Sequence, residues 1–196
     1  MLDKQYELWA TTQWKSDARR FYTGNASVAR QHLLDANGFD TTFRRSEDAE
    51  LAYRLAEQGL EFVFNPDAVG YHYAERSFAS WLQTPYMYGR NDVICARDKG
   101  HSWLLNAIGK EFNSRHSFTR WLVRLCISRK TANTLAIFAL RIVAEVATFF
   151  GMRSVSQLAY SGIFNLRHFQ GVTDELGGRK QFFRLVAQTA KSVNPA

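Results

Sequence analysis

Residues 46–59 read Ser-Glu-Asp-Ala-Glu-Leu-Ala-Tyr-Arg-Leu-Ala-Glu-Gln-Gly, and this stretch decides which fold the chain is expected to have. Leu51 and Leu55 recur at the spacing of one helix face. Gly59 follows at the position where a left-handed residue commonly ends a helix. The stretch therefore predicts an α-helix over residues 47–58.

This helix begins with two adjacent acids, Glu47 and Asp48. Acids in a first turn are favoured by the helix dipole, and Ser46 is a good capping residue, so the pair has an ordinary structural explanation. A carboxylate displayed at a helix start can also act as a general base. The neighbouring segments favour the second interpretation.

Three further motifs lie close to the helix in the chain. Residues 21–30 contain Thr-Gly-Asn-Ala-Ser, and residues 33–40 end in Asn-Gly-Phe-Asp. Residues 62–72 contain Asn-Pro-Asp-Ala-Val-Gly-Tyr-His, in which the Asn-Pro-Asp is typical of a turn. The alternation on either side of that turn predicts two strands, at residues 60–64 and 68–73.

Taken in order, the motifs resemble the family 2 glycosyltransferases with the nucleotide-sugar-binding GT-A fold. The second half of that family reads T-G-N-x-S, G-G-F-D, E-D-x-E-L-x-x-R-L and P-x-A-x-x-x-H, and the likeness spans about residues 20–75. Asn37 stands where the family has the first Gly of its pair, and Asn tolerates the left-handed backbone that such a turn needs. The resemblance implies an α/β fold, the C-terminal portion of a GT-A domain.

The resemblance also implies a reaction, the transfer of a sugar from a nucleotide-diphosphate donor to an acceptor hydroxyl with inversion. The second acid of the E-D motif is the base in this family, which assigns that role to Asp48 with Glu47 as its partner. A position in a first helical turn is expected to keep the pKa of Asp48 low. Gly24 and Asn25 match the T-G-N turn near the donor sugar.

For the donor diphosphate, the resemblance implies a divalent cation, Mn²⁺ or Mg²⁺, with His72 as a ligand. Arg76 or Arg90 is expected to contact the diphosphate, although each has an equal explanation as a surface cation. The Asp-x-Asp motif that holds the metal in the family is absent from this sequence. We expect that the chain corresponds to the C-terminal half of such an enzyme and is inactive alone. The donor site is expected either in an N-terminal half that has been truncated or in a second polypeptide.

Charge is divided unevenly along the chain. Residues 1–98 hold 11 basic and 14 acidic side chains, net −3, and residues 99–196 hold 14 and 4, net +10, which together give the overall +7. The sequence therefore predicts a GT-A remnant over 1–98 and a basic, mostly α-helical tail over 99–196. An anionic membrane surface is the expected partner of the tail, and a solvated basic face is the ordinary alternative. No RRM, KH or zinc-finger signature points to nucleic acid.

The most apolar window of the tail is residues 131–152, which Arg141 and Glu145 interrupt. Two charges argue against a simple transmembrane span, because each costs about 2.5 to 3.5 kcal/mol at the centre of the bilayer. If Arg141 and Glu145 pair on one side of a helix, the other side stays apolar, as in a helix that lies in a membrane interface. A buried core helix is the alternative. Four apolar residues then share another face: Leu135, Phe138, Ile142 and Phe149.

Together these features predict a glycosyltransferase at the cytoplasmic face of the cell membrane, acting in surface polysaccharide or glycolipid synthesis. The expected partners are a nucleotide-sugar donor, a hydroxyl acceptor and the membrane. The alternative from another class is a non-catalytic membrane-peripheral scaffold that retains part of the fold. Cys95 and Cys126 are too few and too far apart to indicate a disulfide framework or a zinc site.

Overall fold

The computed structural model describes residues 2–11, 15–43, 45–71, 73 and 76–191. In these residues the chain forms nine α-helices and two short 3-10 turns, and no β-strand. The predicted α/β class is therefore wrong, because a GT-A fold is built on a central sheet. The predicted helical character of the second half is confirmed.

The two predicted strands show why the pattern misled. Residues 60–64 and 68–71 have no regular secondary structure, and Val63 and Tyr71 are 86% and 85% exposed. A strand exists only where its backbone N–H and C=O groups pair with a neighbouring strand. Alternating side chains indicate that a segment could form a strand. The described residues include no neighbouring strand whose backbone could pair with it.

The chain divides into two compact units, Met1–Glu75 and Arg76–Ala196. The sequence places the boundary near residue 98, where the charge changes. In the structure the boundary between the units lies earlier, between residues 75 and 76. The reason is that the helix Phe78–Asp98 packs along a helix of the second unit.

The first unit contains three α-helices and both 3-10 turns. The helices are α1 (Leu2–Ala10), α2 (Arg30–Asp35) and α3 (Glu47–Glu57), and the turns are Ala18–Arg20 and Thr23–Asn25. Helix α3 supplies the centre of the core, because its Leu51 and Leu55 are almost fully buried and pack with Ala36. Trp9 of α1 is buried beside Phe64, with 5.6 Å between the ring centroids.

The second unit is a bundle around one long helix. Its helices are α4 (Phe78–Asp98), α5 (Trp103–Ser114), α6 (Ser117–Cys126), α7 (Lys130–Phe149), α8 (Arg153–Glu175) and α9 (Arg179–Lys191). Helix α8 contacts α4, α6, α7 and α9. The core centres on Phe112, whose ring centroid lies 5.1 Å from that of Phe169 and 5.3 Å from that of Phe182.

Helices α4 and α8 cross at close range because glycines lie at the contact. A Cβ atom on Gly89 would collide with the backbone carbonyl of His168, and one on Gly171 would collide with that of Tyr86. Such contacts leave no room for any side chain at either position. The second unit therefore depends on these two glycines.

Candidate active site

The candidate site lies in the first unit, at the start of α3. Asp48 is partly buried there, and its Oδ1 atom accepts a hydrogen bond from the backbone N–H of Ala49 at 2.8 Å. The backbone N–H of Thr23 also lies close enough to the Asp48 carboxylate to lower its pKa. The start of α3 therefore lies next to the T-G-N turn.

Burial raises the pKa of Asp48 above its ordinary value, and the negative charge of Glu47 raises it further. The backbone N–H groups of Ala49 and Thr23 lower the pKa but do not offset burial. The expectation of a low pKa is therefore wrong, because loss of solvation outweighs the helix terminus at this position. A carboxylate with a raised pKa is a stronger base than an exposed aspartate.

Glu47 lies beside Asp48 and has unused hydrogen-bonding capacity. Its Oε2 atom is buried and accepts no hydrogen bond from the described residues. Buried carboxylate oxygens are normally hydrogen-bonded, so an unused one is an exception that calls for a partner. Ser46 does not act as the predicted cap, because its φ of 61° places it in the left-handed region and its side chain makes no capping bond.

The T-G-N turn is held by its asparagine. The Nδ2 atom of Asn25 donates to the backbone carbonyl of Ala68 at 2.7 Å, which ties the turn to the 65–70 segment. Gly24 lies at the open side of this turn, and a Cβ atom built on it would meet nothing within 4 Å. The backbone at Gly24 is therefore accessible to a ligand.

The third acid of α3 has a structural role. Glu50 is only 2% exposed, and its two carboxylate oxygens accept from Arg54 at 2.8 and 2.6 Å. Arg54 also donates to the backbone carbonyls of Ala36 and, at 2.8 Å, of Gly38. The pair thereby holds the Asn-Gly turn onto α3, with Asn37 in the predicted left-handed conformation at a φ of 58°.

Three other residues were predicted for the site, two of them in the second unit and one outside the described residues. Arg90 belongs to the second unit, where it donates to Oε2 of Glu175 at 2.8 Å, and Arg76 is exposed at the start of that unit. His72 lies outside the described residues. Among the residues that are described, no group of three or more His, Cys, Asp or Glu side chains could hold a metal ion.

The second unit has two shallow cavities, of about 550 and about 420 Å³. Neither lining contains a carboxylate or an imidazole that could act as an acid or a base. The start of α3 therefore stays the better candidate. Motif analysis did not predict that the backbone N–H of Thr23 acts on Asp48. Side-chain patterns carry no signal for a backbone donor.

Comparison of the chain with protein-family models, with curated proteins and with solved structures found no match in any of the three.

Proposed function

We propose that the first unit carries the acceptor side and the catalytic base of an inverting glycosyltransferase. The observation that supports this proposal is the proximity of the Thr23 backbone N–H to the Asp48 carboxylate, whose pKa it lowers. It joins the two motifs on which the resemblance most depends. The proposed substrates are a nucleotide-diphosphate sugar and an acceptor hydroxyl of a surface polysaccharide or glycolipid.

In the proposed reaction the acceptor hydroxyl oxygen attacks the anomeric carbon of the donor sugar. The bond from that carbon to the diphosphate oxygen breaks as the new C–O bond forms on the opposite face, which inverts the configuration. The nucleoside diphosphate leaves with the bonding electron pair. The hydroxyl proton passes to Asp48, whose raised pKa makes this transfer more favourable.

Glu47 is proposed to orient the acceptor. Its buried Oε2 has no donor among the described residues, and a second hydroxyl of a sugar acceptor would supply one. The negative charge of Glu47 also contributes to the raised pKa of its neighbour. Glu47 would therefore act on both the position of the acceptor and the strength of the base.

The leaving diphosphate needs positive charge, which the family supplies with Mn²⁺ or Mg²⁺ and with basic side chains. The described residues around Asp48 contain no metal-binding cluster. No step of the mechanism proposed for this chain is therefore assigned to a metal. In the proposed reaction Asp48 and Glu47 act on the acceptor alone.

Amide NMR titration of the ¹⁵N-labelled full chain tests the proposal. The probes are a panel of mono- and oligosaccharides and the common nucleoside diphosphates. Saturable shifts are expected at the amides of Thr23, Gly24 and Ala49, weakened in Asp48→Asn. Glu57→Gln is the matched control, because it removes an exposed acid at the far end of the same helix. Shifts that are absent, or unchanged in Asp48→Asn, would contradict the proposed site.

A second candidate function is a non-catalytic scaffold at the membrane. It is favoured by the lack of a sheet and of a metal cluster in the residues that the structure describes. Limited proteolysis separates the two functions. Protection of the first unit by a saccharide acceptor supports the transferase, because a scaffold has no reason to bind the acceptor.

A further inference from the structure

Helix α7 exposes a continuous apolar stripe. Leu135, Phe138, Ile142, Val146 and Phe149 recur at helical spacing and are 68%, 63%, 45%, 50% and 84% exposed. Four of these five are the residues that the sequence pattern places on one face. Single exposed apolar side chains are common on proteins, but a row of this length is not.

The opposite face of α7 is packed within the second unit. Asn133, Ala144 and Ala147 are buried there, and α7 packs against α8. The stripe is therefore the outer side of a fixed helix hairpin. It continues at the turn into α8 with Phe150 and Met152, which are 69% and 52% exposed.

The unit that carries this hairpin is strongly positive, because residues 76–196 have 17 Lys and Arg side chains and six Asp and Glu side chains. On α7 itself the one acid is Glu145. Glu145 accepts a hydrogen bond from Arg141 at 2.7 Å, so its charge is paired at the edge of the stripe. At the two ends of α7 stand exposed cations, Lys130 at its start and Arg153 just after it.

We propose that α7 lies in the surface of a bilayer that contains anionic phospholipid. The apolar stripe would enter the boundary between headgroups and acyl chains, and the cations at both ends would meet the phosphates. Helix α7 has 20 residues, which corresponds to about 30 Å of contact along the membrane plane. This docking surface is separate from the site of Asp48 and does not depend on the proposed transferase activity.

Charge favours a membrane over a second copy of the chain as the occupant. Two copies of this positively charged unit would bring like charges together, whereas an anionic surface attracts them. By length and composition α7 would also suffice to cross a bilayer, the one helix among the described residues that does. Its packed face argues for the surface instead, because Arg141 lies over the ring of Phe78, 4.5 Å from its centroid, in the protein.

Vesicle co-sedimentation of the full chain tests the proposal. The two probes are phosphatidylcholine vesicles with and without phosphatidylglycerol. Binding is expected with phosphatidylglycerol and should weaken as salt is raised, since the attraction is electrostatic. Phe138→Ser and Phe149→Ser should each weaken binding about tenfold through lost apolar contact. Tyr71→Ser is the matched control, because it removes a side chain that is 85% exposed in the other unit.

A fluorescent label gives a second readout that folding defects do not imitate. Cys95 and Cys126 are both only 2% exposed, so a thiol-reactive probe on Phe149→Cys is selective. An environment-sensitive dye there should shift to the blue with phosphatidylglycerol vesicles, and the same dye on Tyr71→Cys should not. Failure of the unaltered chain to bind, or a dimer that Phe138→Ser dissociates, would overturn the proposal.

Discussion

The backbone N–H of Thr23 lies close to the Asp48 carboxylate and lowers its pKa, so the start of α3 lies next to the T-G-N turn. Neither residue alone makes a site, because acids are common at helix starts and T-G-N is a common turn. Their proximity places a partly buried carboxylate next to the turn that contains Gly24, where a Cβ atom would meet nothing within 4 Å. The proposed role of this arrangement can be tested by the stability and ligand binding of the chain, and by transfer in a protein that also has a donor-binding half.

Asp48→Asn should make the first unit more stable at neutral pH. The pKa of Asp48 is raised in the folded state, so folding favours the protonated form, and ionisation costs stability as the pH rises through the folded pKa. Asparagine removes that cost and keeps an oxygen for the backbone N–H groups. Urea unfolding at neutral pH should show the gain.

The gain from Asp48→Asn should disappear below the pKa of the unfolded aspartate, near pH 3.9, where both states hold the proton. Glu57→Gln, at the exposed end of the same helix, should change the free energy of unfolding by less than about 0.5 kcal/mol. A loss of stability in Asp48→Asn at neutral pH would mean that the carboxylate holds the turn rather than serving a reaction.

Arg54→Met should destabilise the first unit by about 3 kcal/mol, because it leaves the buried Glu50 carboxylate unpaired. The double variant Glu50→Met with Arg54→Met is the matched control. It removes both charges and should recover much of the loss, measured by urea unfolding. Equal losses in the single and double variants would contradict a role for the ion pair and would point to the backbone carbonyls that Arg54 holds.

Gly24→Ala should leave the stability of the first unit within about 0.5 kcal/mol of the unaltered chain, since a Cβ atom there meets nothing within 4 Å. The same methyl group should weaken ligand binding if a sugar approaches this backbone, as the resemblance implies. Thermal unfolding and the NMR titration measure the two effects separately. Unchanged binding in a stable Gly24→Ala would remove Gly24 from the site.

Local patterns predicted the local structure well. The spacing of Leu51 and Leu55 predicted α3, and the Arg141–Glu145 pair lies where helical spacing put it. The same spacing placed Phe138 on an exposed face. Each of these predictions depends on neighbours within a few residues, which a sequence displays directly.

The sheet and the strength of the base depend on partners that the sequence does not display. Residues 60–64 have the composition of a strand, but no described segment pairs with them. The pKa of Asp48 is raised because the tertiary fold buries its carboxylate. This effect is larger than the lowering of the pKa that was expected from the helix terminus. The left-handed Ser46 likewise follows from how the chain enters α3 and not from its residue type.

Gly89→Ala and Gly171→Ala should each destabilise the second unit by about 1 to 3 kcal/mol or more. Each new methyl group would meet a backbone carbonyl of the facing helix, so α4 and α8 must move apart. Thermal unfolding monitored by circular dichroism measures the loss. Gly24→Ala is the control for the substitution itself, and equal stability in all three variants would contradict the close crossing.

The decisive test of the proposed reaction uses a protein in which this chain is joined to a donor-binding half. Asp48→Asn should lower the transfer rate by at least about a hundredfold, with folding and donor binding retained. The rate should fall as the pH drops through the pKa of Asp48. Because Glu47 contributes to raising that pKa, Glu47→Gln should shift the acid limb of the profile to lower pH, and Glu57→Gln should not. An Asp48→Asn protein that retains full turnover would exclude Asp48 as the base.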